Sequence, residues 1–235
     1  MQTKPVVHRI VDLGCGPGNS TAVIAAQYPN AAVVGVDNSA EMLRQATDEH
    51  PEWTWTAADI AAWATAEPQT VYDVVFSNAA FHWVPDHPRL FHQLWQHVAP
   101  GGVLAVQMPR NFDAPSHQLL KAVAAEGPWA AQMAGAREAS FTHPPSYYYD
   151  ILSPLTERLM IWETEYLHVM PSAESIVDWL RGTGLRPYLA RLPSAEDQAA
   201  FLREYTARIA EAYPAQANGR RLFPFRRLFI LAQKS

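Results

Sequence analysis

The sequence holds one cysteine, Cys15, so no disulfide can form within a chain, and a reducing, cytoplasmic setting is expected. No apolar run approaches the roughly 20 residues a membrane helix needs, and no charged-then-apolar leader opens the chain. A membrane partner is therefore not expected. Positive charge is scarce early on, with four Lys or Arg against ten Asp or Glu in residues 1–109. The net charge of −5 argues in the same direction, away from a general nucleic-acid binder. Cations return in residues 110–235, where 12 of 14 are arginine, the side chain whose planar fork suits carboxylates and phosphates. Hydrophobic residues make up 49% of the 235, enough for a full core. The chain shows no internal repeat, low-complexity tract or flexible linker.

Short apolar runs alternate with helical stretches up to residue 109. Strands are expected at His8–Leu13, Ala32–Val36, Trp53–Ala57, Tyr72–Asn78 and Val103–Met108, and helices at Ser20–Gln27, Ala40–Glu49 and Arg89–Val98. Pro100-Gly101-Gly102 reads as a turn between the last helix and its strand. Such alternation calls for an α/β fold, a doubly wound, mostly parallel sheet with helices on both faces. Beyond Pro109 a helix is expected at His117–Ala125, an irregular stretch at Ala130–Tyr149, and strands at Arg158–Val169 and Phe225–Gln233. The mostly helical segment Ser172–Tyr213 lies between those two strands, a cap inserted before the last strand. The expected organisation is one domain over 1–235. Residues 1–109 form a cofactor-binding half, and 110–235 a substrate half capped by helices over about 171–219.

Three glycines in five residues stand directly behind the first strand, in VDLGCGPGNST. Ligands of open α/β sheets bind beyond the carboxyl ends of the strands, and Gly14, Gly16 and Gly18 occupy that turn. A dinucleotide fingerprint would place its third glycine where Asn19 stands, and here it falls one place early. The G-x-G-x-G spacing with Asp12 two residues ahead resembles S-adenosylmethionine-dependent methyltransferases instead. Cys15 lies within that loop, near a helix start, where a small residue more often packs against the sheet than reacts. Asp37, followed by Asn38, ends the second strand, where a carboxylate can accept from both hydroxyls of a ribose. Asp59-Ile60 follows the third strand, placed either to take an adenine amino group or to cap a helix. Asn78 and Ala79 end the fourth strand, and His82 and Trp83 follow, where they can wall the methionine part of the ligand or fill core.

Beyond the glycine loop, the chain resembles the trans-aconitate 2-methyltransferase family. The matching stretches are VDLGCGPGNST, GVDNSAEML, ADIAAW, HWVPDH, GGVLAVQMP, YYDILS, DWLRGTGLRPYL and RLFILA, running from about residue 8 to residue 232. The first two are shared widely among methyltransferases, whereas YYDILS and TGLRPYL lie outside the cofactor core and discriminate better. The resemblance implies a seven-stranded, Rossmann-like methyltransferase fold with S-adenosylmethionine as cofactor and S-adenosylhomocysteine as product. It implies transfer of the methyl group to a carboxylate of trans-aconitate. Members of the family carry a longer segment ahead of the first strand, where this sequence has Met1–Val7, so a cofactor site open on one side is expected.

This chemistry needs neither a general base nor a metal, because a sulfonium methyl is already activated and a carboxylate is already ionised at neutral pH. Holding the attacking oxygen about 3 Å from the methyl carbon is the protein's task. No residue is therefore assigned a catalytic role beyond positioning. A tricarboxylate substrate needs cations for its other carboxylates, and Arg186, stiffened by Pro187, is the first choice. Arg227 near the start of the last strand is the second and Arg110 the third. Tyr147, Tyr148 and His168 can donate hydrogen bonds, as packing residues with wet tips also can, and Gln107 at the end of the fifth strand can orient a carboxylate.

His82, His87, His92 and His97 recur every five residues, which on a helix sets neighbours about 140° apart, so they share no face and no metal site is expected. Asp86 with His87 reads as a turn, and Trp179 as packing. Rival readings are a methyltransferase for another small acid or hydroxyl, a non-catalytic cofactor-binding protein, and a nicotinamide dehydrogenase, the last disfavoured by Asn19.

Overall fold

The computed structural model describes residues 6–133, 135–136 and 140–235. Seven strands run as β1 (Arg9–Leu13), β2 (Ala32–Asp37), β3 (Thr54–Ala57), β4 (Tyr72–Asn78), β5 (Val98–Pro109), β6 (Leu159–Met170) and β7 (Arg221–Gln233). Between them lie α1 (Asn19–Gln27), α2 (Ala40–Glu49), α3 (Ile60–Thr65), a 3-10 turn at Phe81–Trp83 and α4 (His87–His97). After β5 come α5 (Pro115–Glu126), α6 (Ala130–Met133) and α7 (Pro145–Leu152), and between β6 and β7 come α8 (Ala173–Arg181), α9 (Arg186–Leu189) and α10 (Ala195–Ala212).

The sheet order is β3-β2-β1-β4-β5-β7-β6. Strand β1 pairs in parallel with β2 and β4, β2 with β3, and β4 with β5. Strand β7 runs against β5, since Gly101 N donates to Lys234 O while Arg110 N donates to Arg226 O. The chain order reverses on either side of β1, and loops at the carboxyl ends of β1, β2 and β4 therefore gather at one rim.

Two compact units are distinguishable, one comprising residues 1–109, 141–164 and 228–235, the other residues 110–140 and 165–227. In the first, Leu90, Phe91, Leu94 and Trp95 of α4 and Tyr148, Ile151 and Leu152 of α7 pack on Val11, Val75, Leu104 and Ile230 of the sheet. Alternate residues of the same strands, Phe76, Ala105, Phe229 and Leu231, face the other way into a groove of about 660 Å³ beside α1. The second unit closes its own core from α5, α8, α9 and α10, with Ile176, Leu185, Tyr188, Phe201, Tyr205 and Phe223 fully buried.

Several expected boundaries move, each for a local reason. Strand β5 begins at Val98, so Pro100-Gly101-Gly102 lies within it instead of forming a turn. A Cβ on Gly102 would stand 2.9 Å from Ala99 O and 3.0 Å from the carbonyls of Tyr72 and Asp73, and the β4–β5 register shifts between Tyr72 and Val74. The glycines thus make an irregularity inside a strand. The stretch expected to be irregular contains α6 and the first part of α7, the latter started by Pro145 in its first turn, where the missing amide hydrogen costs nothing. Asp86-His87 does not form a separate turn. Asp86 caps α4, taking Arg89 N at 3.4 Å, and His87 is the first helical residue. Part of the expected irregular stretch, residues 134 and 137–139, lies outside the described residues.

Candidate functional site

The turn after β1 is built from three residues with positive φ, Gly14 at 75°, Gly16 at 55° and Gly18 at 92°. Gly14 N and Cys15 N both donate to Val36 O, at 2.7 and 3.1 Å, tying the turn to β2. The glycines serve different ends. A Cβ on Gly14 would fall 2.2 Å from Ala80 Cβ, so this glycine exists for close packing against the segment after β4. A Cβ on Gly18 would press the Trp55 ring at 3.0 Å. At Gly16 a Cβ would meet nothing within 4 Å, and main chain lies bare to open space.

Asp37 at the end of β2 binds that bare turn. Gly16 N donates to its Oδ2 at 2.9 Å and Ser39 N to its Oδ1 at 2.8 Å. Each carboxylate oxygen keeps a second lone pair, so both can still accept from a diol. Asn38 beside it is exposed. Asp59 caps α3, accepting from Ala62 N at 3.0 Å through Oδ1, yet it remains exposed with its second oxygen available. The half-buried Ile60 approaches the position of a Gly14 Cβ at 3.3 Å. Asn78 Nδ2 donates to Ser20 Oγ at 2.8 Å, linking the end of β4 to the start of α1, where Asn19 is the first helical residue. Ala79 takes a φ of 56°, rare for a residue with a Cβ, and its amide donates to Gln107 O at 2.9 Å. Gln107 itself is buried and lines the groove beside α1 with Asn19 and Asn78.

Asp12 is wholly buried at the end of β1. Its Oδ2 accepts from Thr21 Oγ1 at 2.6 Å, while its Oδ1 is buried without a hydrogen-bond partner. Burial pushes this carboxyl up to about 7, the Thr21 hydroxyl opposes the shift, and the nearby Asp37 adds to it. Cys15 is also buried, its thiol pushed up to about 12 by burial and then by the two carboxylates, so it stays protonated and unreactive. His82 is buried with its ring 4.5 Å from that of Trp83, and burial holds it down to about 4, a neutral imidazole. Trp83 is half exposed at 49% and does not fill core.

Tyr147 stacks on His143 at 4.0 Å. Tyr148 requires a correction. It is wholly buried, its hydroxyl lies 2.8 Å from His87 Nδ1, and His143 N donates to the same oxygen at 3.1 Å. His87 Nε2 reaches Phe81 O at 3.0 Å and must carry the ring proton, so Nδ1 accepts from the tyrosine. Both functions of the hydroxyl are committed, and Tyr148 holds structure in place of a ligand.

The second unit holds the remaining candidates. Arg227 lies 5.0 Å from the ring centroid of Phe225 and 5.6 Å from that of Tyr166, between two aromatic faces that fix its guanidinium. His168 stands near the same group, its Nε2 buried without a hydrogen-bond partner and its ring 4.7 Å from that of Trp179. Burial and Arg227 hold His168 below its ordinary range. Trp179, expected as packing, is 43% exposed against this cluster. Arg110 is already paired with Asp113 at 3.2 Å, and its amide donates to Arg226 O. Arg186 opens α9 with its side chain exposed.

Three contacts around the turn lie outside the residues expected from sequence: Thr21 on Asp12, Ser20 on Asn78, and Trp55 packing against Gly18. A signal for the first two exists, because Ser20 and Thr21 are hydroxyls in the opening turn of an otherwise apolar helix.

A family model described as a methyltransferase domain matches residues 10–102. The trans-aconitate 2-methyltransferase of Azoarcus sp. (strain BH72) is 53% identical over 95% of this chain and 86% of its own length. That of Variovorax paradoxus (strain S110) is 48% identical over 98% of this chain and 88% of its own, and that of Yersinia pestis (strain Pestoides F) 51% over 95% and 85%. Among solved structures, the YcgJ protein of Bacillus subtilis superposes with a TM-score of 0.58 at 16% identity, covering 97% of this chain and 92% of the other. Coclaurine N-methyltransferase gives 0.54 at 15%, covering 98% and 68%. At such identities these two establish the fold alone.

Proposed function

The chain belongs to the trans-aconitate 2-methyltransferase family, and from that premise we propose that it methylates a carboxylate of trans-aconitate at the expense of S-adenosylmethionine. The products are a monomethyl ester and S-adenosylhomocysteine. The observation that carries this reading is the identity of 48–53% over at least 95% of the chain, the arginine-rich second half included. No described helix is long and apolar enough to cross a membrane.

The residues present fit the cofactor. Bare main chain at Gly16 leaves room for a ligand, Asp37 keeps an acceptor on each oxygen for a ribose diol, and the buried, unpartnered Oδ1 of Asp12 calls for a positive or donating group. Asp59 and Ile60 would hold the adenine, and Asn78, Ala79, His82 and Trp83 the methionine part. When bound, the cofactor supplies an electrophilic methyl group on a positively charged sulfur. The chain supplies orientation and exclusion of water. His82 is neutral at physiological pH and can donate or accept a hydrogen bond without adding charge. For the acid, the Arg227 guanidinium against the Phe225 and Tyr166 rings, with His168 near it, is the first candidate, and the exposed Arg186 is another. Gln107 and Tyr147 are proposed as neutral hydrogen-bonding partners. Arg110, partly neutralised by Asp113, ranks behind the other arginines.

Transfer of label from methyl-labelled cofactor across a panel of di- and tricarboxylic acids tests the proposal. Trans-aconitate is expected to be the preferred acceptor, with an ester product labile to base. Equal or greater turnover of another acid, or label in no acid at all, overturns it.

A further inference from the structure

The carboxyl of Asp12 sits where a charge is hardest to keep. It has no exposed surface, one oxygen lacks any partner, and the other is held only by the neutral hydroxyl of Thr21. Its sheet neighbours in register, Gly35 of β2 and Phe76 of β4, bring no charge. The titratable groups that face it are Asp37, which repels a second negative charge, and the Cys15 thiol, itself held protonated. Among the described groups acting on Asp12 there is no cation. Native proteins rarely bury an ionised group without a partner, so the empty site must either keep a proton here or bring in a positive charge.

We infer that Asp12 holds a proton in the empty enzyme and releases it to solvent when the positively charged cofactor binds, so that this carboxyl discriminates sulfonium substrate from neutral thioether product. The inference rests on the function proposed above. Substrate and product share adenosine, ribose and amino-acid groups and differ by one methyl and one positive charge. A site carrying two carboxylates favours the charged member. Once the methyl group has left, that charge is gone, Asp12 regains its proton, and the product is held less tightly. The same carboxyl thereby favours loading before the reaction and release after it. The window follows from the buried carboxyl standing near 7. Cofactor binding weakens as pH falls below that value, because the proton must be removed at increasing cost, and becomes independent of pH well above it.

The test is calorimetric titration of the full chain with each ligand at pH 6.5, in two buffers of different ionisation enthalpy. About half a proton or more is expected to be released per S-adenosylmethionine bound, and distinctly less per S-adenosylhomocysteine. The Asp12→Asn variant should release none through this group and show a weaker preference for the charged ligand, since Asp37 remains. Thr21→Val keeps the carboxyl but removes its only donor, and should raise proton release at pH 7.5. Heat of binding that is equal in both buffers for the wild-type chain overturns the inference while leaving the proposed function standing. Absence of any S-adenosylmethionine binding at millimolar concentration overturns both. Neither outcome depends on the variants folding.

Discussion

At the scale of single residues, the glycine turn separates two reasons for lacking a side chain. Gly14 is small because Ala80 is there, and Gly16 is small because nothing of the protein is. Gly16→Ala is expected to cost about 1–2 kcal/mol of stability from its left-handed φ, and to weaken cofactor binding at least tenfold. Gly14→Ala adds a steric conflict to the same backbone cost, about 1–3 kcal/mol more, and should fold poorly before binding can be examined. Denaturant titration beside cofactor calorimetry distinguishes them, and equal destabilisation of both variants would contradict the assignment. For the acid, Arg186→Ala is expected to raise the KM for trans-aconitate by about 10- to 150-fold, the worth of one charge-assisted contact at about 1.5–3 kcal/mol. The KM for the cofactor should stay close to wild type. A KM for the acid within twofold of wild type removes Arg186 as an anchor and leaves Arg227 as the stronger candidate.

At the scale of elements, legibility in the sequence followed length and punctuation. Strands β1 to β4 could be read within one or two residues, because runs such as Ala32–Asp37 are rich in β-branched residues and end at or near a glycine, a carboxylate or an amide side chain. Helix α2 matched to the residue, with Ser39 capping it from Met42 N. Helix α3 is signalled in the sequence only by its cap Asp59, because six residues are too few to establish a helical period. Helix α7 was hidden by Pro144 and Pro145, whose second member begins the helix instead of ending it. Nor could sequence reveal that the Tyr148 hydroxyl lies on His87, 61 positions away, since only the fold brings them together. Tyr148→Phe should therefore lower stability by about 1–3 kcal/mol, leaving His87 Nδ1 and His143 N unsatisfied, with the KM for the acid unchanged. A variant as stable as wild type with a raised KM would return Tyr148 to the ligand.

For the molecule as a whole, buried titratable groups give acid and neutral solutions opposing effects. Asp12 stands at about 7 against an ordinary 3.8, so the folded state holds a proton that the unfolded chain has lost between those values. Its contribution to stability therefore falls as pH rises through that window and stays lost above it. His82 stands at about 4 against 6.5, so the unfolded chain gains a proton the folded state refuses, and stability falls as pH drops from 6.5 towards 4. His87, His97 and His143, all held low by burial, act in the second direction. Each pH unit within a window is worth at most about 1.4 kcal/mol per group. In the wild-type chain these slopes partly cancel between pH 4 and 7. Asp12→Asn removes one of them, so its melting temperature should exceed the wild-type value most at pH 8 and fall more steeply on acidification. Parallel profiles for the two proteins would show that Asp12 is ionised throughout.

The measurement that bears most directly on the central claim is a crystal structure of the chain with S-adenosylhomocysteine. The account predicts the ligand's backbone-facing side against Gly16, its ribose hydroxyls on the Asp37 carboxylate, and a polar group of the ligand or an ordered water on Asp12 Oδ1. A ligand seated elsewhere, with Asp37 bonded only to Gly16 and Ser39 and the glycine turn open to solvent, would contradict it.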